Sequence, residues 1–379
     1  MKKLLPEVCT IQYGFPFDSA KFSDSNGMPL IRIRDVVRGY SETYTTEEYK
    51  SEYIVHENDL LIGMDGEFNI AKWGKTPALL NQRVCRLAPN DSIDKDYLFY
   101  FMPIALKRIE EKTPFVTVKH LSAKELNKIE IPVLPLEEQR KIAETLSKVD
   151  ELIAFRDQQL AKLDELVKAR FVEMFGNPIE NTMNWPKKLL RDITTKIGSG
   201  ATPKGGRESY PNAGVSLIRS MNVYDGQFLY KDLAHLTDEQ ATQLNGVTVE
   251  AEDVLVNITG ASVARSCVVP KDVLPARVNQ HVAIVRCNRE LLNPIFTNKM
   301  FINNEFKKAL LSIGESGGAT RQAITKKQLE ELSVVIPPLS IQNEFFTFSE
   351  CVDQQKQTVQ QSLEKLELMK KALMQEYFG

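Results

Sequence analysis

The chain has 379 residues, and its 48 Lys and Arg nearly balance its 50 Asp and Glu, which gives a formal net charge of −2. This length allows two or three domains, and the near-neutral charge excludes a chain that is basic throughout, although a local basic face stays open. No apolar run approaches the roughly 20 residues of a membrane-spanning helix, and the five cysteines are scattered. We therefore expect a cytoplasmic protein with reduced thiols and no membrane contact.

An internal repeat organises the sequence. Residues 121–176 align with residues 324–379 at a constant offset of 203 positions without a gap, which pairs the Pro-Leu-x-x-Gln segments at 135–139 and 338–342 and the two Phe-Gly ends. Upstream of these blocks the similarity is looser, with Asn81-Gln82 matching Asn279-Gln280. One register kept over so many positions indicates two copies of a variable domain, each followed by a helical segment.

The two variable domains are predicted to be α+β domains, at residues 1–136 and 177–338. Short strands are expected at 29–35, 59–63 and 83–87 in the first domain, and at 215–219, 253–257 and 281–286 in the second. A helical run follows the last strand of each set, at 96–111 and 294–311, and the Gly-rich stretches 196–206 and 314–321 are predicted loops.

The segments 137–176 and 339–379 are each predicted to be one long helix of about 58 Å. Apolar residues recur at heptad spacing, and the predicted seam residues are Leu146, Val149, Ile153, Leu160, Leu163 and Val167, then Val352, Val359, Leu363, Leu366 and Leu373. Because a whole domain lies between the helices, we expect an antiparallel coiled coil with an internal pseudo-twofold repeat. The alternative is that each helix packs only on its own domain.

The residues indicate no catalytic or metal site. His56, His120, His235 and His281 are isolated, and the Gly-rich stretch 198–206 lacks the Lys and hydroxyl of a phosphate-binding loop. The segment 177–180 is similar to the Asn-Pro-Pro-aromatic motif of amino-methyltransferases, but it lies where Asn and Pro ordinarily end a helix. The sequence therefore predicts a binding protein with two heads.

These features together resemble the DNA specificity subunit of type I restriction–modification enzymes. The resemblance is carried by the segments 135–143 and 170–178, by Gly198-Ser-Gly-Ala-Thr-Pro203 and by 217–226, and it extends over essentially the whole chain. It implies that each variable domain is a target-recognition domain reading one half of a bipartite DNA sequence, and that the helices set the gap. It also implies docking of two methyltransferase subunits that methylate adenine N6, joined by restriction subunits, so S-adenosylmethionine, ATP and Mg²⁺ are expected in partner subunits only.

Candidate DNA-contacting residues are the donors that suit phosphates and base edges. Residues 177–323 carry 17 Lys and Arg against 14 Asp and Glu, a slight basic excess. The candidates are Tyr13, Arg32, Arg34, Asn69, Lys72, Gln82 and Lys119 in the first domain, and Thr202, Lys204, Arg219, Ser220, Asn222, Arg265, Gln280, Thr320 and Arg321 in the second. A scaffold role is the alternative for Arg32 and Arg219 and for Gln82 and Gln280, because these pairs occupy equivalent positions in the repeat.

Three other functions stay open at the level of the sequence. One is the specificity subunit of a related type II system, which the residues do not distinguish from type I. The second is a two-headed adaptor for proteins or glycans, and the third is a recognition protein fused to its own methyltransferase. The DNA target itself is not predicted.

Overall fold

The computed structural model describes residues 1–112, 119–202, 210–315 and 322–379. The chain divides into two compact units, of which unit 1 contains Met1–Asp157 and Gln361–Gly379 and unit 2 contains Gln158–Gln360. Each unit therefore combines one variable domain with parts of two long helices. We call the variable domains head 1 (residues 1–135) and head 2 (residues 177–338).

Head 1 contains eleven strands and four short or medium helices within its described residues. The strands are β1 Lys2–Leu4, β2 Cys9–Tyr13, β3 Phe22–Ser23, β4 Met28–Ile31, β5 Tyr44–Thr45, β6 Ile54–Val55, β7 Leu60–Gly63, β8 Asn69–Lys72, β9 Ala78–Leu80, β10 Val84–Pro89 and β11 Glu130–Pro132. The helices are α1 Leu5–Val8, α2 Ile33–Arg38, α3 Lys95–Lys112 and α4 Ala123–Leu126. The first long helix, α5, follows at Leu136–Phe175.

Head 2 repeats this arrangement with other strand lengths. Its strands are β12 Lys187–Leu189, β13 Thr194–Ser199, β14 Val215–Ile218, β15 Val223–Tyr224, β16 Gln227–Phe228, β17 Ala234–Leu236, β18 Thr248–Val249, β19 Val254–Asn257, β20 Ser266–Val268, β21 Ala276–Val278, β22 Val282–Cys287 and β23 Ser333–Val335. Its helices are α6 Asp238–Gln243, α7 Pro294–Ile302, α8 Asn304–Glu315 and α9 Lys326–Glu330, and the second long helix, α10, follows at Leu339–Phe378.

The sheet connectivity makes the repeat visible. The antiparallel sheet β2-β10-β7-β8 of head 1 corresponds to β13-β22-β19-β20 of head 2. The second sheet of each head contains one parallel pair, β4–β9 or β14–β21. The strand that opens each head pairs with the strand that closes it, β1 with β11 and β12 with β23. Both copies thus form the same α+β fold.

The two long helices run antiparallel within each unit. In unit 2, Asp164 contacts Lys356 at 2.5 Å and Arg170 contacts Glu344 at 3.0 Å, so the sequence number rises along one helix as it falls along the other. In unit 1, Asp150 contacts Lys370 at 2.6 Å, while Leu146 shares a core with Phe378. At about 1.5 Å per residue, each 40-residue helix is about 60 Å long.

The predicted seam residues all point away from solvent to some degree. Leu146, Val149, Val167, Val352, Val359 and Leu363 are buried, and Ile153, Leu160, Leu163, Leu366 and Leu373 are half-buried. Several of them also pack on a head, since Leu146 belongs to the main core of head 1 and Val167 and Val352 to that of head 2. The helices therefore contact each other and the heads together.

The local structure differs from the sequence prediction at several places. The loop predicted at 314–321 begins inside α8, which extends to Glu315. The strand predicted at 29–35 ends at Ile31, and Arg32 and Arg34 lie at the start of α2. The strand predicted at 215–219 likewise ends before Arg219, which precedes a 3₁₀ turn. The loop predicted at 196–206 begins as β13, because Thr194–Ser199 pairs with β22. The helix predicted at 294–311 is interrupted at Asn303, where the Asn303 Oδ1 accepts from the Glu305 N–H at 3.1 Å and starts α8.

Candidate nucleic-acid interface

Each head contains the same tight corner between its two sheets. An Asn in a turn holds it, because the Asn81 Oδ1 accepts from the Gln82 N–H at 2.8 Å and the Asn279 Oδ1 accepts from the His281 N–H at 3.0 Å. Both Asn residues are buried, which assigns them to the scaffold. The residue that follows each of them, Gln82 or Gln280, is exposed.

A glycine directly after the neighbouring strand, β2 or β13, allows this corner to close. A Cβ on Gly14 would lie 2.1 Å from the Asn81 carbonyl oxygen, and a Cβ on Gly200 would lie 1.8 Å from the Val278 carbonyl oxygen. These neighbours are main-chain atoms, which cannot swing aside as a side chain can. Both heads thus present one glutamine from a rigid corner, and a Gln amide can pair with the N6 and N7 of adenine.

The predicted basic residues of head 1 fall into two groups. Arg32 and Arg34 are exposed at the start of α2, and the Arg34 Nε lies 3.8 Å from Asp35. Lys72 instead forms an ion pair with Asp96 at 2.8 Å, and the Lys119 Nζ donates to the Glu110 carbonyl at 2.9 Å. The structure therefore leaves the two arginines available to a ligand, and it gives both lysines partners inside the head.

Tyr13 and Asn69 are half-buried in head 1. The Tyr13 hydroxyl and the Asn69 Oδ1 are buried atoms without a hydrogen-bond partner among the described residues. Burial raises the pKa of Tyr13 above its ordinary value, so the phenol stays neutral at physiological pH. The Asn69 Oδ1 fits against Gly63, where a Cβ would lie only 2.9 Å away.

In head 2, the predicted residues Arg219, Ser220 and Asn222 form one turn after β14. Asn222 is fully buried, its Nδ2 donates to the Leu229 and Lys231 carbonyls, and its Oδ1 accepts from the Arg219 N–H. This side chain holds the turn and does not reach solvent. Arg219 also donates to a main-chain carbonyl, that of Asp232, while Ser220 is half-buried.

Arg265 forms a cation–π pair with the ring of Tyr224. The guanidinium carbon lies 4.2 Å from the ring centroid, and Tyr224 is 40% exposed. Attraction to the ring orients the guanidinium, whose N–H groups can then serve a ligand. Arg265 itself is half-buried, and its guanidinium suits a phosphate or a base.

Of the four remaining predicted residues, one belongs to the described part of the chain. Thr202 is exposed after β13. Lys204, Thr320 and Arg321 lie outside the described residues, so their positions remain predictions.

Two arginines that the sequence did not single out each bind an aspartate that recurs in both copies of the repeat. The Arg86 Nη1 contacts the Asp59 Oδ2 at 3.0 Å, and in head 2 Arg286 contacts Asp253 through two nitrogens at 2.8 and 2.9 Å. The bond to Asp253 raises the pKa of Arg286. The repeat aligns Asp59 with Asp253 and so indicates the two acids. It does not indicate their partners, because the two arginines lie two positions apart in the aligned strands.

Four of the five cysteines are buried, and the metal-binding side chains of the described residues lie apart. Burial raises the pKa of Cys9, Cys85 and Cys267 to about 12 and that of Cys287 to about 11, so these thiols stay protonated. In the described parts of the chain, no group of three or more His, Cys, Asp or Glu side chains is placed to hold a metal ion. None of the helices there is long and apolar enough to cross a membrane.

Two heads with one scaffold, each presenting its own set of polar side chains and joined by long helices, define a two-site recognition protein. The family model described as "Type I restriction modification DNA specificity domain" matches residues 1–165 and 183–368, which is most of the chain in two copies. The chain belongs to this type I restriction–modification DNA specificity family and carries two recognition domains. Members of the family are specificity subunits, whose role is sequence recognition in a complex with catalytic partner subunits.

Two curated relatives extend over nearly the whole chain. The type I restriction enzyme EcoBI specificity subunit of Escherichia coli is 29% identical, over 93% of this chain and 80% of its own length. The putative type I restriction enzyme MjaX specificity subunit of Methanocaldococcus jannaschii is 24% identical, over 93% of this chain and 86% of its own length.

Solved structures share the fold. The S subunit of a type I restriction–modification system from M. genitalium superposes with a TM-score of 0.59 at 14% identity, covering 100% of this chain and 96% of that one. A chain from a study titled for complex assembly and conformational transition of the type I R-M system also gives a TM-score of 0.59, at 17% identity, covering 100% of this chain and 97% of that one.

Proposed function

We propose that each head reads one half of a bipartite DNA target, and that the paired long helices set the length of the unread gap. The helices would also bind two methyltransferase subunits, which methylate adenine at N6 with S-adenosylmethionine. Restriction subunits, with ATP and Mg²⁺, would complete the assembly in the cytoplasm. This chain would supply recognition and no chemical step.

The main support for the proposal is that both heads contain the same corner but expose different side chains elsewhere. Gln82 and Gln280 are exposed at equivalent positions on rigid corners, which suits reading a base edge at a fixed place in each half-site. Arg32 and Arg34 are exposed in head 1, whereas in head 2 the half-buried Arg265 lies over the ring of Tyr224. A common scaffold with different contact residues is what two different half-sites require.

The exposed apolar residues of the long helices support partner binding. In unit 1, Leu152, Phe155, Leu368 and Met369 are 44%, 62%, 68% and 43% exposed. Large apolar side chains on a helix surface that is otherwise charged are typical of protein interfaces. A methyltransferase subunit is the partner that such a surface would bind.

Sequence preference of the assembled complex tests the recognition part. The complex with its methyltransferase partner is given DNA with each half-site randomised in turn, and the methylated products are sequenced. Gln82→Ala is expected to relax the preference in one half-site and Gln280→Ala in the other, each by about 1–3 kcal/mol at one base pair. Gln354→Ala, an exposed glutamine of α10, is the matched control and should leave both half-sites unchanged. Relaxation of the same half-site by both head variants would contradict the proposal.

Copurification tests the docking part. Phe155→Asp and Leu368→Asp place charges on the exposed apolar surface and are expected to lower recovery of the methyltransferase subunit without changing the melting temperature. Asp157→Asn, at an exposed position of the same helix, is the control. Undiminished recovery with both charged variants would exclude this surface as the docking site.

A further inference from the structure

A fully buried glutamine lies in the first turn of each long helix. Gln139 is the fourth residue of α5 and Gln342 the fourth residue of α10, and both side chains are 0% exposed. The sequence pattern marks them as the last residue of the two Pro-Leu-x-x-Gln segments, but it assigns them no task.

Both glutamines make the same three hydrogen bonds to main-chain atoms. The Gln139 Nε2 donates to the Leu134 carbonyl at 2.7 Å and to the Ser92 carbonyl at 3.2 Å, and its Oε1 accepts from the Asp94 N–H at 2.8 Å. In unit 2, the Gln342 Nε2 donates to the Pro337 carbonyl at 2.8 Å and to the Leu291 carbonyl at 3.0 Å, and its Oε1 accepts from the Asn293 N–H at 2.9 Å.

These bonds tie the start of a long helix to the start of a helix in the head. The Asp94 Oδ1 accepts from the Asp96 and Tyr97 N–H groups and so caps α3, and the Asn293 Oδ1 accepts from the Ile295 and Phe296 N–H groups and so caps α7. One amide therefore joins the lead-in of the long helix, its first turn and the cap of the head helix.

An apolar contact at this place would allow the head to slide or rotate on its helix. Three directional hydrogen bonds in a buried site do not, because any rotation leaves buried main-chain groups unpaired. Since neither glutamine is exposed, neither side chain can contact DNA itself. An effect of these residues on recognition must therefore act through the angle of the head.

We propose that Gln139 and Gln342 are positioning residues that fix the angle between each head and the long helix beginning at it, and thereby hold the two recognition sites at one gap length. The inference rests on the proposed reading of a bipartite target. It goes beyond that proposal by assigning the gap to two buried side chains as well as to helix length.

The test measures how strictly the assembled complex requires its gap. Once the methylated motif of the wild-type system is known, duplexes carry its two half-sites at the native gap or at a gap one or two base pairs shorter or longer. The quantity measured is the ratio of affinity at the native gap to affinity at each altered gap. Gln139→Leu and Gln342→Leu are each expected to lower this ratio about tenfold.

Two companion variants separate positioning from a loss of stability. Gln139→Glu keeps the shape, but a buried, protonated carboxyl has one donor where the amide has two, so one of the two carbonyls loses its partner. It should therefore lower the ratio even where the leucine variant fails to fold. Asn298→Leu removes a buried amide that donates to the Ser266 Oγ at 2.9 Å within unit 2, and it should lower stability while the ratio stays at the wild-type value.

A wild-type ratio in Gln139→Glu and Gln342→Leu, or an equal loss of affinity at all gaps, would overturn the positioning role and leave the bipartite target intact. A wild-type complex that binds equally at all gaps would overturn the proposed function, and the positioning role with it. A reduced ratio in the glutamine variants alone would establish the inference.

Discussion

The two units hold their heads with one set of identical contacts and one set of different contacts. The buried glutamine, its three hydrogen bonds and the Phe at a helix end are the same in both. About three turns further along the long helix, the contact between head and helix differs. The Tyr100 hydroxyl donates to the Asp150 carboxylate at 3.0 Å in unit 1, whereas Lys299 and Asp353 occupy the equivalent positions in unit 2.

The pKa shifts of the two head residues at this contact have opposite directions. Burial and the Asp150 carboxylate raise the pKa of Tyr100, so the phenol remains a neutral donor. Burial lowers the pKa of Lys299, and the Asp353 carboxylate partly opposes that effect. At the junction between head and long helix, the side chains that fix the helix direction are therefore the same in both units. The side chains that only fill the interface or neutralise its charge differ.

The Phe at the end of each long helix provides the largest expected effect. Phe175 packs on Phe296 of head 2 at a centroid distance of 4.7 Å, and Phe378 packs on Tyr97 of head 1 at 5.2 Å. Each head is therefore closed by the helix that begins at the other head. Phe175→Ala should cost about 3–5 kcal/mol in unit 2, and Phe378→Ala a similar amount in unit 1.

Hydrogen exchange measured peptide by peptide shows which unit loses stability. The expected result is faster exchange at 187–352 in Phe175→Ala and at 1–146 in Phe378→Ala. Faster exchange in head 1 for the Phe175 variant would contradict the arrangement.

The corner glycines are expected to behave alike in both heads. Gly14→Ala and Gly200→Ala each drive a Cβ into a main-chain carbonyl, so we expect a loss of about 3 kcal/mol, at the upper end for overpacking. Gly198→Ala is the matched control, because its Cβ would meet no atom within 4 Å, and its effect should stay within about 0.5 kcal/mol. Denaturant unfolding measures all three, and equal losses at Gly198 and Gly200 would refute the steric argument.

The two aspartate–arginine pairs should contribute unequally to the stability of the two heads. The Asp253 side chain is 1% exposed and bonded to Arg286 through two nitrogens, so Asp253→Asn is expected to cost about 3 kcal/mol. The Asp59 side chain is 27% exposed, and Arg86 keeps bonds to the Ile54 and Glu52 carbonyls, so Asp59→Asn should cost only about 1 kcal/mol. Thermal unfolding gives the comparison, and a larger loss at Asp59 would reverse the assignment.

The smallest expected effect concerns the reactivity of the cysteines. Burial raises the pKa of the thiols in both heads. With pKa values raised to about 11–12, the buried thiols stay protonated near pH 8, so only the exposed Cys351 should react rapidly with a thiol reagent in the native chain. Unfolded thiols ionise near pH 9, so the stability that these four contribute is present below pH 9. It is lost as the pH rises toward 12. Rapid reaction of more than one thiol at pH 8 would contradict their burial.

The large-scale architecture followed from the sequence because repetition and heptad spacing are local patterns. The helix predicted at 137–176 is observed at Leu136–Phe175, shifted by one residue, and the strands at 59–63 and 253–257 are close to those observed. The strand ends before Arg32 and Arg219 were missed, since alternation of apolar residues does not indicate the turn that follows.

The individual contact residues could be predicted less well. Lys72, Lys119 and Asn222 are suitable donors by residue type, but their partners come from distant segments or from the turn that buries them. Composition does not reveal such pairing. The role of Gln139 and Gln342 was equally hidden, because a glutamine in the first turn of a helix is ordinarily solvated.

Methylome sequencing of a host that expresses this chain with its methyltransferase partner tests the central claim most directly. We expect one N6-methyladenine motif made of two short half-sites separated by an unread gap of fixed length. Replacing head 2 with that of another family member should change one half-site and leave the other and the gap intact. A single continuous motif, or a change in both half-sites after the replacement, would contradict the account.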